Sequence, residues 1–247
     1  MNDLTRYARQ IVLPQVGVNG QHLLYDSTAL VIGCGGLGCA AAPYLVGAGI
    51  GRLLLVDRDR IELSNLQRQV LFRTADLGRE KAVAAAAALR ALNPDSRIEA
   101  HAGGLEPARL TQWVADADVV LDCSDNFPTR HAVNAACVAA KTPLVSGAAL
   151  RLEGQLAVFD LRRGPPCYAC LFGAEGPAAE RCEESGVLGP LVGVVGALQA
   201  LAALQLLLGL SAGAGTLVTW DAAAGAWRRL SITADPRCPV CAAGNAR

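Results

Sequence analysis

Apolar residues fall in short blocks along the first half of the chain, separated by stretches of helical composition. Thr28–Ile32 is an apolar run that ends in Gly33-Cys34-Gly35-Gly36-Leu37-Gly38, and Cys39–Ala48 behind it has helical character. Arg52–Val56 is a second apolar run, closed by Asp57. The Ala-rich stretch Arg79–Leu92 predicts a helix stopped by Asn93-Pro94. Arg97–Ala100, Asp118–Leu121 and Pro143–Ser146 read as further strands, with helices over Leu105–Val114 and Thr129–Ala140 between them. Continuous apolar strands alternating with helices predict a parallel sheet covered on both faces, an α/β doubly wound architecture.

The grammar changes after about residue 150. Gln155–Asp160, Thr216–Trp220 and Ala226–Ile232 predict a more antiparallel extension, and Gly173–Gly186 a long polar loop. From Ser185 to Trp220 no residue is charged, and Val187–Leu210 has the length of a membrane span. Gly189-Pro190, Gly193, Gly196, Gln199 and Gln205 interrupt it, and no aromatic belt or basic cluster flanks it. A helix buried in a core or subunit interface is the expectation, with no membrane partner. We expect one unit over residues 1–247, with halves meeting near residue 150.

Composition narrows the function classes. Of 247 residues, 52% are hydrophobic and only 18% charged, which supports an extensive core and excludes a disordered chain. Lys+Arg and Asp+Glu both number 22, so no net basic field exists to hold nucleic acid. The polar start, Met1 to Arg6, lacks the apolar run of a signal peptide, and a cytoplasmic protein is expected. Nine cysteines are an odd number for a disulfide framework, and in a reducing compartment they suggest metal or thiol chemistry.

Gly33, Gly35 and Gly38 match G-x-G-x-x-G between a strand and a helix, with Asp57 ending the next strand. Such glycines let backbone N–H groups approach a phosphate, and the carboxylate can accept ribose hydroxyls; tight helix–sheet packing is the alternative. NAD, FAD and ATP all remain open at this point. Lys81, one of only two lysines, begins a helix just beyond the polar stretch Asp57–Gln69, and its compact ammonium suits a phosphate. Asp125 follows the fourth strand, where it can either hold Mg²⁺ or serve as an N-cap or turn residue before Pro128. Cys167-x-x-Cys170 and Cys238-x-x-Cys241 are paired hooks that suit a tetrahedral zinc site, a redox pair being the alternative. Cys34, Cys39, Cys123 and Cys137 read as small buried residues, whereas Cys182 stands alone in the polar loop.

Together, Arg6-Tyr7-x-Arg9-Gln10-Ile11, the glycine loop, Asp57, Ser64-Asn65-Leu66-Gln67-Arg68-Gln69, Lys81, Ser124-Asp125-Asn126-x-x-Thr129-Arg130 and the Cys-x-x-Cys hooks resemble the E1-like adenylyltransferases. These bacterial enzymes activate ubiquitin-like sulfur carriers for thiamine and molybdopterin biosynthesis, and the resemblance runs from Arg6 to Cys241. It implies a Rossmann-like fold, ATP as substrate at Gly33, Gly35, Gly36 and Gly38, and Asp57 on the ribose. It further implies Asn65, Arg68 and Lys81 around the phosphates, with Asp59, Ser64 and Asn126 beside them. Asp125 would hold Mg²⁺, the four hook cysteines zinc, and Arg9 would reach the ATP of a homodimer partner. The implied partner is a carrier with a C-terminal Gly-Gly, sulfur coming from a cysteine desulfurase or rhodanese-type donor. Thiamine-branch relatives are thought to link the carrier through the cysteine matching Cys182; molybdopterin-branch relatives do not need it. Val187-Leu188-Gly189-Pro190 and Trp227-Arg228-Arg229-Leu230 lean toward the thiamine branch. An NAD-dependent oxidoreductase would leave Arg68, Lys81 and Asp125 unexplained, and a silent carrier-binding scaffold is the other rival.

Overall fold

The computed structural model describes residues 4–173 and 186–242. After a short α1 (Ala8–Ile11) and α2 (Gly17–Asp26), the chain runs β1 (Thr28–Ile32), α3 (Gly36–Gly47), β2 (Arg52–Val56), α4 (Lys81–Leu92) and β3 (Arg97–His101). It continues through α5 (Pro107–Ala115), β4 (Val119–Asp122), α6 (Phe127–Ala140), β5 (Leu144–Leu150) and β6 (Glu153–Phe159). The last elements are α7 (Tyr168–Phe172), α8 (Gly189–Leu207), β7 (Thr216–Asp221) and β8 (Ala226–Ser231).

All strands join one eight-stranded sheet in the order β3-β2-β1-β4-β5-β6-β7-β8. The first five in that order are parallel, and β6, β7 and β8 extend the sheet antiparallel. Both faces of the central strands are buried, so side chains divide between two cores by the two-residue period. Ala29, Val31, Leu53, Leu55 and Leu121 face a layer of α3, α4 and α8. Leu30, Ile32, Leu54, Val56 and Val120 face α5, α6, α7 and the hook cysteines.

The uncharged segment forms α8, the one helix among the described residues long and apolar enough to cross a membrane. Half of its apolar window is buried in the fold, where Val192, Val195, Ala203 and Leu206 pack into the α3 layer. After β3 the chain returns across the sheet, so β4 pairs with β1 on the side opposite β2. The carboxyl ends of β1 and β4 therefore diverge into separate crossovers, leaving a crevice where such sheets bind ligands.

Candidate functional site

The first wall of the crevice is the glycine loop. Gly33 adopts φ +96°, and a Cβ there would lie 2.8 Å from the Cys123 carbonyl oxygen, so the loop closes directly onto the segment after β4. A Cβ on Gly38 would lie 2.0 Å from the Gly33 carbonyl oxygen, which makes glycine obligatory for this turn. Gly35 caps α3 in an extended conformation and Gly36 begins the helix. The amide ends of the loop and helix are thus available to an anion.

Asp57, at the end of β2, braces this loop. Its Oδ2 accepts from the Cys34 amide at 2.6 Å and its Oδ1 from the Asp59 amide at 2.8 Å. Burial raises its pKa above the usual carboxylate value, against the pull of those two donors and Lys81. Lys81 is the first residue of α4 and is buried, its Nζ donating to Asp59 Oδ2 at 3.0 Å. A cation at a helix N-terminus opposes the helix dipole, so the position makes most sense facing an anion.

The segment between them adds further cation and amide groups. Asn65 is buried and accepts from the Glu62 amide at 3.1 Å, and Arg68 Nη1 donates to the Ser64 carbonyl at 3.0 Å. Gln69 is buried against the glycine loop, 3.8 Å from where a Gly35 Cβ would stand, and its Oε1 has no hydrogen-bond partner. The sequence offered no signal for Gln69 beyond its place in the motif.

The opposite wall follows β4. Asp122 is fully buried; its Oδ1 accepts from the Ser124 amide at 3.0 Å and hydroxyl at 2.6 Å. Burial raises its pKa, opposed chiefly by Arg130. Asn126, not Asp125, caps α6, accepting from the Thr129 amide at 3.0 Å. The alternative of Asp125 as helix cap is thereby corrected, because the cap position falls one residue later. Asp125 is left exposed, accepting from Asn126 Nδ2 at 3.3 Å.

Arg9 stands exposed on α1, and among the described residues no hydrogen bond or ion pair joins it to this crevice. Cys182 lies outside the described residues.

On the far side of α6, the Sγ atoms of Cys167, Cys170, Cys238 and Cys241 all lie within 4.8 Å of one another. Cys167–Cys238 and Cys170–Cys241 are 3.7 and 3.4 Å apart. A tetrahedron with metal–sulfur bonds of about 2.3 Å has edges of about 3.8 Å, so sulfur shifts of about 1 Å or less would let the cluster hold zinc. Asn134 Nδ2 approaches Cys167 Sγ at 3.6 Å and the Asp235 amide approaches Cys170 Sγ at 3.5 Å, as donors around thiolates do. At Cys238, burial raises the pKa but the Cys241 and Val240 amides and neighbouring thiols outweigh it, lowering it to about 7. Cys34, Cys39, Cys123 and Cys137 are buried elsewhere, and burial pushes Cys39 up to about 12.

Comparison with known proteins agrees with this architecture. Residues 7–240 match the model described as the ThiF family. The chain is 46% identical over 240 residues to the molybdopterin-synthase adenylyltransferase of Escherichia coli strain K12, covering 97% of this chain and 96% of that one. It is also 46% identical over 244 residues to the sulfur carrier protein ThiS adenylyltransferase of the same organism, covering 99% and 97%. A crystal structure of E. coli MccB with MccA-N7isoASN shares the fold, with a TM-score of 0.84 at 22% identity over 98% of this chain and 75% of that one. The chain is a member of the ThiF family.

Proposed function

We propose that this protein adenylates the C-terminal glycine of a ubiquitin-like sulfur carrier, consuming ATP and releasing pyrophosphate. The observation that carries the reading is the closure of the glycine loop onto the Cys123–Asn126 segment, with Lys81 buried on one side and Asp125 exposed on the other. Relatives of nearly full length named as adenylyltransferases support it.

The chemistry suits these residues. A chain-terminal carboxylate has a pKa of about 3.3–3.7, so it reaches the α-phosphorus already ionised and needs no general base. One carboxylate oxygen bonds to that phosphorus, the α–β bridging oxygen leaves with pyrophosphate, and the product is an acyl adenylate. The obstacle is bringing an anion to a polyanion. Lys81 and Arg68 would offset that repulsion and hold the phosphates in line, with Arg9 supplied by a second subunit. The exposed Asp125 carboxylate would hold Mg²⁺, which typically takes one or two protein carboxylates and completes its shell with phosphate oxygens and water. Zinc at the hook cysteines would be structural, tying the C-terminal segment to α7.

Both carrier classes appear at 46% identity among the relatives. The thiamine-type carrier is our first candidate, on Val187–Pro190 and Trp227–Leu230, and the molybdopterin-type carrier the second. Carrier-dependent pyrophosphate exchange into ATP, run against a panel of both, is the test. Exchange with none of them, by protein that binds ATP, would overturn the reading. With a productive carrier, Asp125→Ala should lower exchange by at least about a hundredfold in folded protein. Near-normal exchange would reassign Asp125 to the turn.

A further inference from the structure

Three side chains on one face of α6 reach three separate parts of the molecule. Asn126, Arg130 and Asn134 are spaced four residues apart, so they lie one above another along the helix. Asn126 closes the N-terminus of α6 and donates to Asp125. One turn on, Arg130 Nη2 donates to the Ser124 carbonyl at 2.8 Å and the Gly147 carbonyl at 3.3 Å. Another turn on, the fully buried Asn134 accepts from the Tyr168 amide at 2.9 Å and reaches Cys167 Sγ.

Tyr168 closes the circuit. It follows Cys167 directly, is buried, and lies beside the Arg130 guanidinium in a small, half-open recess that both residues line with Ser146 and Phe172, its hydroxyl making no hydrogen bond among the described residues. Its ring packs on Phe172 at 4.6 Å between centroids and edge-on to His131 at 5.6 Å. The Arg130 charge also favours the ionised form of Asp122, which in turn fixes Ser124 by two hydrogen bonds and lies 3.4 Å from Ser146 Oγ. A fully buried carboxylate depends on nearby positive charge, so losing the Arg130 guanidinium would leave Asp122 less compensated and the two carbonyls it spans without their donor.

We infer that Arg130 and Asn134 are positioning residues, through which α6 ties the cysteine cluster to the Ser124–Asn126 segment and so sets where Asp125 presents its carboxylate. Neither touches the reacting atoms. The arrangement gives the cluster a task beyond anchoring the C-terminus: its geometry is carried by Asn134 and Tyr168 to Arg130, and by Arg130 to the crevice. The inference rests on the proposed role of Asp125, and its readout is chosen to be independent of any carrier.

The measurement is Mg²⁺-dependent binding of ATP to the full chain by equilibrium dialysis, with bound zinc and thermal midpoint determined on the same samples. Arg130→Met should raise the Mg²⁺ concentration for half-maximal ATP binding about tenfold, as loss of a residue orienting a metal ligand commonly does, while bound zinc stays unchanged. Arg130→Lys should recover part of that loss, because an ammonium still favours the ionised form of Asp122 but cannot span both carbonyls. Asn134→Leu, in zinc-loaded protein, should weaken the Mg²⁺ dependence in the same direction although the residue lies two helical turns from Asn126. Wild-type Mg²⁺ dependence in Arg130→Met would overturn the inference; should that variant not fold, wild-type dependence in Arg130→Lys and Asn134→Leu would do so. Wild-type protein that binds Mg·ATP yet exchanges pyrophosphate with no carrier would instead remove the proposed function and leave these comparisons interpretable.

Discussion

Gln199 sits in the middle of an uncharged helix and is fully buried, yet both ends of its amide are engaged. Its Nε2 donates to the Asp122 carbonyl at 2.8 Å and the Val145 carbonyl at 3.2 Å, and its Oε1 lies 3.5 Å from Cys123 Sγ. A Cβ on Gly147 would come within 2.4 Å of that amide, so Gly147 is the space in which Gln199 works. The side chain therefore ties β4 to β5 where the strands reach the crevice. Gln199→Leu keeps the volume and removes both donors, and should lower stability by about 2 kcal/mol in urea unfolding. A loss under about 0.5 kcal/mol would mean that water or backbone shifts satisfy the carbonyls instead. In the sequence Gln199 reads only as an interruption of an apolar run, because the partners that explain it are more than fifty residues away. Asn134 is silent in the sequence because its partners, Tyr168 and Cys167, lie more than thirty residues on, and Arg130 is visible there only as a motif position without its contacts. Gly33, Gly38 and Asp57 stand out through spacing, and Lys81 through the rarity of lysine in the chain.

Elements were legible wherever local pattern and tertiary role agree. The five parallel strands and their helices fall close to the stretches read from apolar runs. The disagreements have physical causes. α3 begins at Gly36 rather than Cys39, since the loop glycines that suggest a turn are already helical once Gly35 has capped the helix. β5 continues to Leu150 beyond the expected Ser146, because Gly147, Ala148 and Ala149 pair with Leu156, Gln155 and Gly154 of β6 despite weak strand propensity. α7 went unread: its Cys-x-x-Cys hook is also a short helix. The two hooks meet because β7 and β8 return the chain to the α6 side of the sheet, which no local signal announces. Purified without chelators, the protein should carry about one zinc per chain, with four thiolates completing the shell. Cys238→Ser should lose most of that metal and lower the thermal midpoint on the order of 5 °C. Metal-free wild-type protein with an unchanged midpoint would make the cluster a set of packed thiols.

At the scale of the whole molecule, the proposed role of Arg9 turns on how two chains assemble. The crevice gathers Lys81 and Arg68 from its own chain, but Arg9 stands exposed on α1 and, among the described residues, has no bond into that crevice. The nearby surface is unusually apolar: Val12 is 75% exposed and Leu13 50%. Elsewhere Tyr44 and Leu201 border a groove of about 230 Å³ between α3 and α8. A homodimer, which we propose, would cover such surfaces and allow Arg9 to serve the neighbouring subunit's phosphates. Symmetry makes that testable, because an isologous dimer contains two equivalent composite sites. Arg9→Ala and Asp57→Ala should each abolish carrier-dependent exchange. In a mixed dimer of the two, one site would combine the wild-type Asp57 of one subunit with the wild-type Arg9 of the other, while the second site would lack both. Random reassortment of equal amounts should therefore restore about a quarter of wild-type exchange, half the dimers being mixed and half their sites complete. If Arg9 acts within its own chain, every site in every dimer lacks one residue and no activity returns. No recovery in mixed dimers verified by differential tagging would thus place Arg9 in cis, and retention of exchange by Arg9→Ala alone would remove it from the site.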